Sequence, residues 1–211
     1  MATVLFEKQE VRKPAAAQEE AGPVPYHWTV DALYRALNAG VFEHPERLEL
    51  VQGRIIENPP MNPPHASLAD IVAQMLRDAL QPALVVREEK CIHVASDGEP
   101  VPDVSVVHGK RTDYSKRHPT PEDVALLVEV ADTTAAYDLG GKAVLYAQSG
   151  ITDYWVVLVN DLAIVRHRLP TPEGYGEVVR LVGADTISPL AAPDAVRSVD
   201  ALLGREEQDE E

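Results

Sequence analysis

Residues 124–131 read VALLVEVA, and this stretch constrains the fold more than any other in the chain. Seven of its eight residues are aliphatic, with no alternation of apolar and polar positions. Such a run is typical of a strand covered on both faces. Tyr146, Tyr154 and Trp155, in the helix and strand that follow, are predicted to pack in the core. The sequence therefore predicts a central strand between two layers, with one carboxylate, Glu129, inside it.

The segments around this run predict an α/β (α+β) domain. Helical apolar spacing favours a helix at 65–80, and shorter helices are predicted at 29–40 and 138–150. Two alternating runs around Gln52-Gly53 predict an N-terminal β-hairpin. Further strands are predicted at 83–95, 103–109 and 174–182, with a second hairpin between 152 and 170. This order indicates a mixed central sheet flanked by helices.

The length of 211 residues suits one domain with tails. Residues 1–25, rich in Ala, Gln, Glu and Pro, predict a flexible N-terminal arm. Residues 26–200 are predicted to form the single domain. The end of the chain, GREEQDEE, predicts an acidic, disordered tail over 201–211. No apolar run is long enough for a membrane span or a signal peptide, so we expect a cytoplasmic protein that does not contact membranes.

The net charge of −15 argues against a general nucleic-acid binder, because such proteins are usually basic. One segment departs from this balance, KRTDYSKRH at 110–118. Two interpretations of this segment are open. It is either a solvated loop or a loop that contacts phosphates, since Lys and Arg with an interleaved Tyr suit a nucleic-acid backbone.

Three charged residues stand where burial would penalise them: Glu129 in the apolar strand, Asp103 at the start of DVSVV, and Lys142 in the following helix. A buried carboxylate must be paired, protonated or bound to a metal. If Asp103 and Glu129 end adjacent strands, both side chains face one crevice. Two carboxylates at close range repel each other, and a divalent cation removes the conflict.

Mg²⁺ accepts oxygen ligands and keeps several waters, so two carboxylates and the carbonyl of Val130 would suit it. Lys142 nearby could orient or deprotonate a water, or stabilise charge that develops on a phosphate. Structural explanations also stand. Asp103 could be a turn residue after Pro102, Glu129 could form an ion pair with Lys142, and Lys142 could be a surface lysine.

Four segments together carry a family resemblance: ERLELVQGRI, NPPHASL, EPVPDVSVV and LLVEVADTTAAYDLGGKAVLYAQSGITDYWVV. Across about 45–170 the chain resembles the PD-(D/E)XK nuclease superfamily and, within it, the Uma-type restriction endonuclease family. Asp103 matches the first acid of the motif and Glu129 the second. Ala131 stands where the superfamily has its lysine, and Lys142 matches the position to which that lysine has moved in the Uma-type family.

The resemblance implies a metal-dependent endonuclease that hydrolyses DNA phosphodiester bonds with Mg²⁺ or Mn²⁺. It implies a homodimer, since restriction-type nucleases are commonly dimeric. It also adds Glu49 and His65, although Glu49 could face solvent on the hairpin and His65 could be an ordinary helix N-terminal residue. A non-enzymatic interaction or regulatory protein on the same scaffold is the alternative, and the acidic charge suits it. The predicted catalytic residues are Asp103, Glu129, Lys142, Glu49 and His65, and the predicted metal ligands are Asp103, Glu129 and Val130.

Overall fold

The structure is a computed structural model that describes residues 23–80 and 84–205. The first half contains α1 (Val30–Asn38), β1 (Leu48–Val51), β2 (Arg54–Glu57), α2 (Pro63–Ala79), β3 (Leu84–Glu88), β4 (Val104–His108) and β5 (Val124–Ala131). The second half contains α3 (Ala135–Tyr137), a π-helical turn (Asp138–Lys142), α4 (Ala143–Gln148), β6 (Asp153–Leu158), β7 (Ala163–Thr171), β8 (Gly174–Val182), β9 (Thr186–Ile187), β10 (Arg197–Ser198) and α5 (Val199–Leu202).

Strands β3 to β8 form one six-stranded sheet in which neighbours along the chain are neighbours in space. All pairs are antiparallel except β5 and β6, which run parallel. The helical segment from α3 to α4 makes the crossover that a parallel pair needs. The predicted mixed sheet flanked by helices is therefore confirmed. No helix in the described part of the chain is long and apolar enough to cross a membrane.

The central strand β5 separates two apolar layers, and all eight of its residues are buried. Leu126, Val128 and Val130 belong to the layer that contains α2 and α5. Leu127 and Ala131 belong to the opposite layer, which contains α4 and side chains of the β1–β2 hairpin. Successive side chains of a strand point to opposite faces, so an uninterrupted apolar strand serves both layers.

The hairpin turns at the predicted residues. Gln52 and Gly53 both have positive φ, 49° and 72°, which is the conformation of the type I′ turn that suits a two-residue hairpin loop. Gly53 has a second reason to lack a side chain, because a β-carbon there would lie 2.2 Å from the ring of His27. The turn pairs β2 with β1, the strand that carries Glu49.

Helix α2 begins where its sequence specifies a start. The Asn62 side chain accepts a hydrogen bond from the N–H of His65 at 3.0 Å, and Pro63 and Pro64 occupy the first turn. Proline fits there because the first helical N–H groups have no helical partner. This start fixes His65 in the first turn, close to the end of the sheet.

Two predicted elements differ from those observed. The strand predicted at 83–95 ends at Glu88, because Glu89 has a φ of 48° and turns the chain out of the sheet. The helix predicted from 138 begins three residues earlier and contains the π-helical turn. Neither feature is signalled locally, since glutamate seldom adopts positive φ and a π turn has no simple sequence pattern.

The domain extends beyond residue 200. Ala201, Leu202 and Leu203 are buried, and the two leucines join the core that includes α2. The predicted tail therefore begins too early, because the apolar ALL segment before GREEQDEE packs on the domain. Residues 1–22 of the predicted arm and 206–211 of the predicted tail lie outside the described residues.

Candidate active site

Two carboxylates meet at one end of the sheet because of the register between β4 and β5. Val104 pairs with Val128 in the antiparallel ladder, so the next residues outward, Asp103 and Glu129, lie opposite each other. Opposite residues on one face of an antiparallel pair have β-carbons roughly 5 Å apart. The structure thus contains the crevice that the sequence predicts.

Glu129 holds two side chains of the helical segment that follows its strand. Its Oε1 atom accepts hydrogen bonds from Lys142 Nζ at 3.0 Å and from the Tyr146 hydroxyl at 2.8 Å. Lys142 and Tyr146 are four residues apart and so share one face of the helix. All three side chains are buried. One oxygen of Glu129 is therefore fixed by the helix.

Two further acids surround the Lys142 ammonium. Glu49 Oε2, from β1, lies 3.3 Å from Nζ, and Asp138 Oδ1 lies 4.0 Å from it. Glu49 Oε2 also accepts a hydrogen bond from the N–H of Val101 at 3.2 Å. Glu49 Oε1 is buried and has no hydrogen-bond partner among the described residues. Three buried carboxylates thus face one ammonium, which leaves an excess of negative charge.

Asp103 is held by a helix and by a strand. His65 Nε2 lies 3.3 Å from Asp103 Oδ2, and the N–H of Val130 donates to the same oxygen at 2.6 Å. The N–H and C=O of one residue in a strand point to the same side. The carbonyl of Val130 therefore faces the end of the sheet where Asp103 lies.

Burial and proximity shift the pKa values of these groups. Burial raises the pKa of Glu129 well above its usual range, the Lys142 charge opposes this shift, and nearby acids add to it. Burial likewise raises the pKa of Asp138. Burial would lower the pKa of Lys142, but the surrounding carboxylates outweigh it and raise that pKa. The hydrogen bond to Asp103 raises the pKa of His65 against the effect of burial. Lys142 is therefore firmly cationic.

A cleft of about 320 Å³ opens onto this cluster. One wall is the proline-rich segment 58–62, which precedes α2, and the floor includes Asp103, Glu129 and Lys142. Asp132 closes one side, where its carboxylate accepts from the Asn62 side chain at 2.5 Å. Asp103, Glu129, Asp138 and Lys142 all line this cleft.

All five predicted catalytic residues come together in this region. Two participants were not predicted as such. No sequence pattern identified Asp138 as a site residue, because its position depends on the π-helical turn. Tyr146 was predicted to pack in the core, and it is buried, but its hydroxyl also binds Glu129. Its spacing of four residues from Lys142 was the available signal.

The predicted metal ligands form a small donor set. In the described ranges, no group of three or more His, Cys, Asp or Glu residues is arranged to hold a metal ion. The predicted set has only two such residues, Asp103 and Glu129, plus the Val130 carbonyl, and Mg²⁺ commonly uses few protein ligands and keeps several waters. Within the described residues, the recorded hydrogen bonds use Asp103 Oδ2 and Glu129 Oε1. Asp103 Oδ1 and Glu129 Oε2 remain available as metal ligands, so the set fits a divalent cation that prefers oxygen ligands.

A comparison with solved structures identifies a protein of similar fold. The fold matches the crystal structure of a "putative nuclease" from Anabaena variabilis with a TM-score of 0.65. The two sequences are 16% identical, and the match covers 84% of this chain and 98% of that chain. At this identity the likeness shows a shared fold. No curated protein matches the chain.

A family match covers most of the sequence. Residues 31–200 match the Uma2 family, which is described as "Putative restriction endonuclease". The matched range contains Glu49, His65, Asp103, Glu129 and Lys142. The resemblance inferred from the sequence motifs is confirmed, and the chain belongs to the Uma2 family of restriction endonuclease-like proteins.

Proposed function

We propose that this protein is a metal-dependent endonuclease that hydrolyses phosphodiester bonds of DNA. One observation carries the proposal: the Lys142 ammonium lies 3.0 Å from Glu129, whose carboxylate stands opposite Asp103 at the floor of an open cleft. Membership of a family described as restriction endonucleases supports the nuclease reaction. DNA as the substrate follows from that description.

Asp103, Glu129 and the Val130 carbonyl would hold the cation, Mg²⁺ or Mn²⁺. Such an ion lowers the pKa of a bound water and polarises the scissile phosphate. The protein side chains supply orientation and charge. The surrounding carboxylates raise the pKa of Lys142, and its ammonium would donate hydrogen bonds to the attacking water or to the phosphate. This charge opposes the negative charge that builds up in the transition state.

His65 and Glu49 act through their neighbours. His65 bonds Asp103 Oδ2, at 3.3 Å, and would thereby direct the other oxygen toward the cation. Glu49 contacts Lys142 at 3.3 Å from the hairpin side and holds the amine in place. Both are positioning residues in this proposal. Tyr146 belongs to the same group because it binds Glu129.

A nicking assay on supercoiled plasmid with Mn²⁺ or Mg²⁺ tests the reaction. Wild type should nick DNA, and Lys142→Ala and Asp103→Asn should each lose activity by roughly a hundredfold or more, as loss of a preorganised charged group does. Asp103→Asn is needed because loss of the buried Lys142 charge also threatens the fold. Asp161→Asn, at an exposed ion pair with Arg180, is the control. Equal nicking by wild type and both site variants would contradict the proposal.

Cation binding is tested apart from cleavage. Isothermal titration with Mg²⁺ or Mn²⁺ should detect binding to wild type that Asp103→Ala loses, since two of the proposed ligands are carboxylates. Unchanged binding in Asp103→Ala would contradict the assigned ligands. This experiment does not depend on the identity of the substrate.

We further propose a homodimer. Cutting both strands of duplex DNA calls for two sites, and a twofold axis supplies them in the commonest symmetry of soluble oligomers. Sedimentation velocity should give a dimer at micromolar concentration. A monomer at every concentration would contradict this part of the proposal.

A non-enzymatic interaction or regulatory role is the second candidate. The net charge of −15 favours it, because most non-specific DNA affinity comes from neutralised phosphates. On this account the acids and Lys142 stabilise the fold or bind a regulatory cation. Cation binding without any nicking by well-folded wild type would favour this role.

A further inference from the structure

A basic groove runs along the free edge of the sheet, on the outer side of β3. We define the basic groove by Arg87, Lys90, Arg111 and Tyr114, which line a depression of about 630 Å³. Lys90 and Arg111 are exposed, and Arg111 comes from the KRTDYSKRH segment. Among the described residues, strand β3 pairs only with β4, and no described strand covers its other edge.

The basic groove joins the cleft of the candidate active site. Glu89 lines both depressions, and its N–H donates to the carbonyl of Asp103 at 3.0 Å. The β3–β4 ladder pairs Glu88 with Val104, one residue inside Asp103. The end of β3 therefore places the basic groove next to the carboxylates at the end of the sheet.

The cations of the basic groove outnumber the two carboxylates that line the same depression, Glu88 and Glu89. Seven of the twelve arginines in the described ranges have acidic partners, among them Arg77, which pairs with Glu88 in the same depression. In the described ranges, Arg87, Lys90 and Arg111 have no ion pair. The guanidinium of Arg87 lies 5.3 Å from the centre of the Tyr114 ring, a contact that orients the charge and leaves it uncompensated.

Tyr114 organises this surface. A second guanidinium, that of Arg117, lies 5.2 Å from the centre of the same ring. The Tyr114 hydroxyl donates to the carbonyl of His108, which fastens the turn Arg111–Tyr114 to the end of β4. The basic loop therefore has a fixed place beside β3, and of the two interpretations of KRTDYSKRH this placement favours the phosphate-contacting one.

We propose that the basic groove binds the sugar–phosphate backbone of duplex DNA and guides it into the cleft. The identification of the partner rests on the proposed nuclease function, whereas the surface rests on its own contacts. Arg and Lys side chains and an aromatic ring are the groups that contact a nucleic-acid backbone. Strand β3 spans roughly 17 Å, at about 3.3 Å per residue, enough for several consecutive phosphates. A local surplus of cations explains how a chain of net charge −15 could bind a polyanion.

The salt dependence of DNA binding tests the groove. Binding of a fluorescent duplex oligonucleotide is measured by anisotropy in EDTA, from about 50 to 200 mM salt. Each phosphate contact that is lost should reduce the slope of log K against log salt by about 0.9. Lys90→Gln and Arg111→Gln should each show this change and weaken binding roughly tenfold at low salt, and the double variant should lose both contacts.

Arg180→Gln is the matched control. It removes one exposed arginine from β8, the opposite edge strand, so it changes the net charge as Arg111→Gln does. The two edges are roughly 24 Å apart across five strand spacings. Arg180→Gln should bind DNA with the wild-type slope. Circular dichroism melting checks that all variants are folded.

The outcomes separate the groove from the nuclease reaction. If wild type binds no DNA, or if Lys90→Gln, Arg111→Gln and Arg180→Gln bind alike, the groove proposal is overturned. Wild type can still nick plasmid in that case, and the nuclease proposal then stands. If Lys90→Gln and Arg111→Gln lose binding while wild type nicks nothing, the groove stands and the nuclease proposal fails.

Discussion

At the scale of single residues, Lys142 decides the electrostatics of the cleft. Its amine is shared by Glu129, Glu49 and Asp138, at 3.0, 3.3 and 4.0 Å. Removal of one partner from a buried ion network costs about 3–5 kcal/mol, because the remaining charges lose their counterion. A Lys142 variant therefore changes stability and chemistry together. Smaller substitutions at neighbouring residues separate the effect on stability from the effect on chemistry.

Tyr146→Phe is the first such change. The Tyr146 hydroxyl donates to buried Glu129 at 2.8 Å, and a hydrogen bond to a charged group contributes roughly 1.5–3 kcal/mol. The donor favours the ionised form, so its loss raises the Glu129 pKa further above the unfolded value. The loss of stability should therefore be largest at high pH and shrink as the pH falls below the raised Glu129 pKa, where the carboxyl is protonated in folded wild type and folded variant alike.

Tyr154→Phe provides the comparison. The Tyr154 hydroxyl is also buried, but it donates to a neutral group, the backbone carbonyl of Asp138, at 2.9 Å. Its removal should destabilise by about 1 kcal/mol with no dependence on pH in this range. Urea unfolding of both variants between pH 5 and 8 measures the contrast. Parallel profiles would show that Tyr146 contributes packing alone.

His65→Gln tests the second pair. The hydrogen bond to Asp103 raises the pKa of His65. A base whose folded pKa is raised adds stability that is complete below its unfolded pKa, about 6.5, and is lost as the pH rises through the folded value. In metal-free buffer, the free energy of unfolding of wild type should therefore exceed that of His65→Gln by a larger amount at about pH 5.5 than at about pH 9. An NMR titration of the His65 ring measures the shift directly, and an unshifted pKa contradicts the prediction.

At the scale of elements, most of the features that could be predicted from the sequence lie in the sheet. Apolar strands and the ends of their runs predicted that Asp103 and Glu129 meet, since register aligns strand ends that are distant in sequence. Contacts that depend on the rotation of a helix could not be predicted. The π-helical turn Asp138–Lys142 sets that rotation, so the place of Asp138 and the hydrogen bond of Tyr146 appear only in the structure. The end of β3 was missed because Glu89 adopts positive φ.

Alanine substitutions at two glycines, one on either side of α4, should change the stability of the protein in opposite directions. Gly140 lies in the π-helical turn with ordinary φ, and Gly150 follows α4 with a φ of 82°; a β-carbon at either would meet open space. Gly140→Ala should stabilise the protein by about 0.5–1 kcal/mol, because alanine loses less entropy on folding. Gly150→Ala should destabilise by about 1 kcal/mol, because positive φ crowds a β-carbon. Urea unfolding compares them, and equal signs would contradict the backbone assignment.

At the scale of the whole molecule, charge is divided between two regions. The cleft concentrates carboxylates around a single lysine, and the basic groove concentrates cations at one edge of the sheet. The net charge of −15 hides this division, which is why composition alone argued against a nucleic-acid partner. A cation that enters the cleft would reduce the repulsion there, so folding and cation binding should be coupled.

That coupling predicts a rise in melting temperature with Mg²⁺. A ligand that binds only the folded state, at roughly ten times its Kd, adds about 1.4 kcal/mol of stability. For a domain of this size that corresponds to roughly 3–6 °C. Asp103→Asn should lose the shift, because it removes a charged ligand, whereas Asp161→Asn, at an exposed pair with Arg180, should keep it.

Sodium chloride at matched ionic strength separates specific binding from screening. Screening weakens repulsion among all the acids of the chain, so it stabilises wild type and both variants by similar amounts. A site made by Asp103 and Glu129 gives instead a shift that saturates with Mg²⁺ and is absent from Asp103→Asn. If both aspartate variants respond to Mg²⁺ as wild type does, the cation acts on the surface at large, and the opposed carboxylates at the end of the sheet are not its ligands.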